Sequence, residues 1–211
     1  MTVRPSPRLV RRKQPRQSRS TSLVAAVLEA AGQVLAEVGP ARFTAARVAE
    51  RAGVSVGSLY QYFPNKAAIL FQLQSDEWRD TTALLRGILQ DPAPSPPERL
   101  RAMVHAFVRS ECEEAAMRGA LGDAAPLYRD APEAEDSRVA ATDAIRAFLR
   151  EAVPDLAEAR CRIAGDLIAM TLGAVGEGIS EMSADDPAVE AYADGLADML
   201  CAYLARLAAG G

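Results

Sequence analysis

The chain is short of the residues from which catalytic and metal sites are usually built. It has one histidine, His105, and three cysteines, Cys112, Cys161 and Cys201, with no CxxC spacing among them. A zinc site needs several Cys, His or carboxylate ligands converging on one point, and a Ser–His–Asp relay needs a histidine with two placed partners. No acid, base and nucleophile set stands out, so the expectation is a non-enzyme with no cofactor and no metal, its cysteines acting as small buried hydrophobes. Widely spaced, odd-numbered cysteines give no disulfide framework. The N-terminus also lacks the roughly 7–15-residue apolar core of a signal peptide, and a reduced cytoplasm is the expected compartment. No run reaches the roughly 18 apolar residues of a membrane span, so no membrane partner is expected. Aromatics are scarce at 5%, but 49% of the 211 residues are hydrophobic, enough for a buried core.

What is present is charge, unevenly placed. The net charge is only −4, yet residues 1–66 hold eleven Arg and Lys against three Glu, while residues 67–211 hold thirteen Arg against twenty-five Asp and Glu. A basic head on an acidic body points to a polyanion partner for the head. Residues 1–20 carry seven cations, three prolines and no acid. They read as a disordered basic arm, either a DNA contact or a solvated tail.

Apolar spacing and punctuation predict an all-α chain of about nine helices. Val24, Val27, Leu28, Ala31, Leu35 and Val38 recur at helical spacing and stop at Gly39-Pro40. Thr44 then caps a short second helix with Val48 and Ala49 inward, Ser55 caps a third, and Asn65 caps a long fourth. Two short helices joined by a glycine-containing turn form a helix-turn-helix pattern over about 44–63. Further on, Ser95 with Glu98, Asp130 with Glu133, and Asp155 with Glu158 repeat a cap-and-glutamate spacing, and a last helix is expected to begin near Ser183–Pro187.

The stretch AGVSVGSLYQYFPNK, Ala52 to Lys66, follows from that pattern. A helix entering the DNA major groove needs small exposed side chains for close approach and polar groups at its ends for phosphates. Val56, Gly57 and Ser58 are small. Ser55 can cap the helix or donate to phosphate, Tyr60 and Tyr62 carry hydroxyls, and Lys66 sits beside a helix N-terminus whose amides attract anions. Gln61 can pair bidentately with adenine. Arg42 and Arg47 are phosphate contacts or solvated charges. Leu59 and Phe63 fall inward.

In FTAARVAERAGVSVGSLYQYFPNKAAIL the segment resembles the DNA-binding head of the TetR family of transcriptional regulators, over about Leu23 to Leu70. The resemblance implies an all-helical homodimer on a double-stranded DNA operator. Thr44, Tyr60, Tyr62 and Lys66 would contact phosphates, and Val56, Gly57, Ser58 and Gln61 would face bases. It also implies a C-terminal ligand-binding and dimerisation body. Residues 21–66 are then the DNA-binding domain and 67–211 the body.

Within the body, Trp78, Met103, His105, Phe107, Tyr128 and Met170 are expected to line a mostly apolar effector site, with core packing as the alternative for each. Gly165, Ala169, Gly173 and Gly176 share one helical face, and a helical glycine costs about 1 kcal/mol against alanine. Either a partner subunit or the chain's own helices approach there. With Leu196, Met199, Leu200 and Tyr203 of the last helix they are expected to form a dimer seam. The expected function is a repressor released from a palindromic operator by a small apolar or amphipathic effector. The alternatives are a DNA-binding dimer without effector, or an activator.

Overall fold

The computed structural model describes residues 18–121, 132–179, 182 and 186–210. Among them are eight α-helices, one 3₁₀ turn at Pro40–Arg42, and no strand. The helices are α1 (Ser18–Val38), α2 (Ala45–Arg51), α3 (Val56–Tyr62), α4 (Lys66–Gln90), α5 (Pro96–Leu121), α6 (Pro132–Ala152), α7 (Glu158–Ile179) and α8 (Pro187–Ala209). The all-α expectation holds, one helix from the expected count.

Two compact units emerge, Met1–Glu77 with Ala116–Ala131, and Trp78–Ala115 with Pro132–Gly211. These units part within α4, after Glu77, whereas the sequence expectation placed a domain boundary at residue 66. The arm also ends earlier than expected. After Pro15 no proline opposes a helix, and α1 extends back to Ser18, so Ser18–Ser20 are helical and the rest of the arm lies outside the described residues.

In the first unit, Val24, Val27, Ala30, Ala31 and Val34 of α1 are buried, as are Phe43, Ala45, Val48, Ala49, Leu59 and Phe63. By length and composition Thr21–Val38 would suit a membrane span, with mean hydropathy 1.4, against the sequence expectation. Its heptad-like row of buried valines and alanines serves the core of this unit, and Glu37 holds Arg51 of α2 through two hydrogen bonds of 2.8 and 2.6 Å.

In the second unit a single core joins residues of α4 to α8, among them Leu89, Leu100, Met103, Leu149, Ile168 and Leu204. Buried Arg99 ties three helices together. Its guanidinium donates to the Leu89 carbonyl at the end of α4 (2.7 Å) and to both carboxylate oxygens of Glu151 on α6 (3.1 and 2.7 Å), and lies 5.3 Å from the Phe148 ring centroid. That hydrogen bonding holds the Glu151 carboxyl below the usual carboxylate range.

Caps follow the sequence in most places. Asp186 accepts from the Ala188 amide and Pro187 opens α8. The Glu98 carboxylate accepts from both the Ser95 amide (2.7 Å) and the Ser95 hydroxyl (2.6 Å) ahead of α5. Asp155 is a correction: α7 begins at Glu158, so Ala157 holds the capping position, its carbonyl accepting from Arg160 and Cys161. Asp130 lies outside the described residues.

The expected dimer face is also corrected in part. A Cβ added at Gly165 would come within 2.6 Å of Arg146 Cγ, and one at Gly176 within 2.8 Å of Glu111 Cγ and 3.0 Å of Phe107 Cε1. Both glycines therefore admit α6 and α5 of the same chain, not a partner. Leu196 and Leu200 are core residues at 4% exposure. Ala169 is half-buried against the same core, as is Tyr203. Gly173 and Met199 remain exposed.

Candidate nucleic-acid interface

The short helices are fixed at every end. Thr44, in extended backbone, accepts from the Arg47 amide at 3.3 Å and starts α2. At its far end Gly53 takes φ +67°, a left-handed conformation that side chains with a Cβ rarely adopt. Its amide bonds to the Glu50 carbonyl and the Val54 amide to the Ala49 carbonyl, the paired bonds of a Schellman motif. Residues 52–55 thereby join α2 to α3 in a tight turn. Ser55 then accepts from the Ser58 amide at 3.0 Å and opens α3.

One side of α3 is anchored. Leu59, and Phe63 just beyond the helix, are both 0% exposed. Gly57 and Gln61, four residues apart, project from the side opposite Leu59 and are exposed. Val56 and Tyr60 form a second exposed row at 39% and 41%. Tyr62 is half-buried. Lys66 is exposed at the start of α4, where Asn65 accepts from the Ala68 amide at 2.8 Å. Thr44, Arg47 and Ser55 are exposed near the two helix N-termini.

Gly57 is the informative residue. A Cβ there would meet nothing nearer than Ser55 Oγ at 3.8 Å, and its φ is not left-handed. Nothing among the described residues requires glycine at this helical position, where alanine would be about 1 kcal/mol better. Close approach by an outside surface would be a reason for it.

Two expected roles change. Ser58 is half-buried with its hydroxyl 2.8 Å from the Ser55 hydroxyl, so it serves the cap of α3 more than a groove-facing row. Arg42 donates from Nε to the Val38 carbonyl at 3.2 Å and so closes α1.

The residues expected around an effector do not converge. Met103 is a core residue at 1% exposure, whereas Met170 is 72% exposed. His105 lies against α8, Nδ1 3.2 Å from Glu190 and Nε2 3.3 Å from Asp194. Phe107 packs beside Gly176, Trp78 is half-buried, and Tyr128 lies outside the described residues. Sequence reasoning missed Gln74, a buried amide on α4, although its spacing of four from buried Leu70 and three from Phe71 was a usable signal. It also missed a second apolar face on α7. Ile163, Leu167 and Met170, 60%, 48% and 72% exposed, run with Ala174 along the side opposite the core.

Residues 27–73 match the family model of bacterial regulatory proteins of the tetR family, and residues 95–207 match that of the tetracyclin repressor-like C-terminal domain. The chain belongs to the TetR family. It is a helix-turn-helix, DNA-binding transcriptional regulator, and α2 and α3 are its helix-turn-helix. Three solved structures share the fold. A TetR/AcrR-family transcriptional regulator from Thermobifida fusca is 18% identical with a TM-score of 0.61, over 84% of this chain and 97% of its own. The TetR-family repressor AlkX from Dietzia sp., implicated in biodegradation of n-alkanes, is 21% identical at TM-score 0.58, over 87% and 95%. FadR of Thermus thermophilus, a TetR-family repressor in complex with lauroyl-CoA, is 18% identical at TM-score 0.56, over 84% and 92%. No curated protein matches the chain.

Proposed function

We propose that this TetR-family regulator is a cytoplasmic homodimeric repressor that leaves a palindromic operator when a small apolar or amphipathic effector binds. The observation that carries its DNA-facing part is the Gly57–Gln61 row, small and polar, on a helix capped at one end and anchored by Leu59 and Phe63. Gln61 reads a base edge, with Val56 beside it. Thr44, Arg47, Tyr60, Tyr62 and Lys66 hold phosphates, and Ser55 does so as far as its capping bond allows. The basic arm adds further phosphate contacts.

Dimerisation is supported by α7. One side packs into the chain's own core while Ile163, Leu167, Met170 and Ala174 face outward. A helix apolar on both sides needs a second partner. The exposed Tyr192, Gly195 and Met199 of α8 extend the surface available to a second copy. The seam thus shifts from Gly165, Gly176, Leu196 and Leu200 to these outward residues, with Gly173 at its edge.

An amphipathic effector is supported by two relatives of this fold, one holding lauroyl-CoA and one implicated in n-alkane biodegradation. The dispersal of the five described residues among those expected in the pocket favours a second reading, a DNA-binding dimer that answers no metabolite. Selection of bound DNA from a random pool tests the first part: the enriched sequence should be a palindrome with half-sites about one helical turn apart. Mass spectrometry of the purified regulator for a retained small molecule separates the two readings.

A further inference from the structure

From Ala68 to Phe71 four consecutive residues of α4 are buried, so the helix is enclosed on nearly every side at that level. One turn on, Gln74 is 1% exposed, and its Nε2 and Oε1 are both buried with no hydrogen-bond partner among the described residues. A buried amide left unpaired costs about 1–3 kcal/mol for each group, and native folds rarely leave both ends so. Ser75 is the only other buried polar side chain described in this unit, and its hydroxyl donates to the Phe71 carbonyl at 2.9 Å.

We infer that the Gln74 amide is the polar anchor of a small-molecule site, taking a ligand with an uncharged head that both donates and accepts, an alcohol or a carboxamide, on an apolar body. The apolar body follows from the helical face that Gln74 shares, with Leu70 and Phe71, four and three residues earlier, both buried. The uncharged head follows from the neutral amide: no buried cation accompanies it among the described residues of this unit, and a carboxylate would be desolvated without a counter-charge. Gln74 is a specificity-determining residue in this account. It stands eight residues, about 12 Å, along one continuous helix from Lys66, so a ligand held there bears on the helix that begins at the phosphate-facing lysine. The inference rests on the reading of an effector-responsive regulator.

The test uses the full-length protein and alcohols, carboxamides and carboxylates matched in their apolar part, from hexyl to dodecyl. Melting temperature and titration calorimetry report binding, and fluorescence anisotropy of the selected operator reports release. The alcohol and the amide should bind wild type, at least about tenfold more tightly than the matched carboxylate. Gln74→Met should melt no lower than wild type without probe, and its binding should weaken about tenfold or more. Equal binding by Gln74→Met and wild type, preference for the carboxylate, or no binding across the series would overturn the inference. So would lower stability of both Gln74→Met and Gln74→Leu, since the amide would then be satisfied within the fold. A probe that binds through Gln74 but leaves DNA bound contradicts effector-released repression and not the site. One that releases DNA equally from both proteins contradicts the site alone.

Discussion

Gly57 in α3 and Gly176 in α7 are both glycines inside helices, where each costs about 1 kcal/mol against alanine. Around Gly176 the chain itself supplies the reason, since Glu111 and Phe107 occupy the space that a Cβ would need. Around Gly57 the described residues supply none, and the glycine lies on the side of α3 turned from Leu59. The same contrast holds for the faces turned from the core: opposite Leu59, α3 carries Gly57 and Gln61 with Val56 and Tyr60 beside them, whereas α7 carries a row of large apolar side chains. On the proposed reading, a feature that the fold does not use internally serves what lies outside it, DNA for one helix and a second subunit for the other.

The largest expected effect comes from breaking the α7 side. Met170→Asp places a charge in the middle of the outward apolar row. Sedimentation should show a folded monomer, and operator affinity should fall by about a hundredfold or more as two linked heads become one. A normal dimer would move the seam to another face. By contrast, Gly176→Leu should leave the folded fraction dimeric but lower stability by about 1–3 kcal/mol or more in urea unfolding, because the added side chain meets α5 of the same chain.

On the α3 side the effects are smaller and selective. Gln61→Ala should cost about 1–3 kcal/mol on the operator and little on random DNA, whereas Lys66→Ala should weaken both alike, because a phosphate contact carries no sequence information. An intact operator preference in Gln61→Ala would pass the reading role to Val56. Removal of the residues before Ser18 should shallow the log–log salt dependence of binding by about 0.9 for each phosphate that the arm no longer neutralises. An unchanged slope would make the arm an idle tail.

The head was legible in the sequence because its instructions are local. Thr44, Ser55 and Asn65 cap the helices that follow them, and the turn at Gly53 needs only backbone bonds to residues four or five positions or fewer away. The body was less legible because its determinants are distant. Spacing places Gly165 and Gly176 on one face but cannot say whether Arg146 and Phe107 or a partner subunit fills it. Likewise the interval from Asp155 to Glu158 fits a capping box, yet the turn after Val153 sets the helix start two residues later. Gln74 escaped notice because glutamine is usually a surface residue. Its spacing from Leu70 and Phe71 was the one signal of burial, and the enclosure of α4 bears that out.

The smallest effect expected lies in the body. The Glu151 carboxyl is held below its ordinary range by Arg99, so the stability from this pair is present above the carboxyl's unfolded value and lost as pH falls through the folded one. Glu151→Gln should therefore be less stable than wild type at neutral pH, with the gap closing under acid, as read from urea midpoints across pH.

The contrast between the two helices is tested most directly at Gly57. Leucine is a good helix former, and a side chain at this exposed position meets only Ser55 Oγ nearby. Gly57→Leu should therefore fold to a dimer at least as stable as wild type, while operator affinity drops about tenfold or more, because bulk now stands where the backbone must near the groove. Unchanged operator affinity in a stable Gly57→Leu dimer would contradict the account, for the face opposite Leu59 would then not be the one that meets DNA.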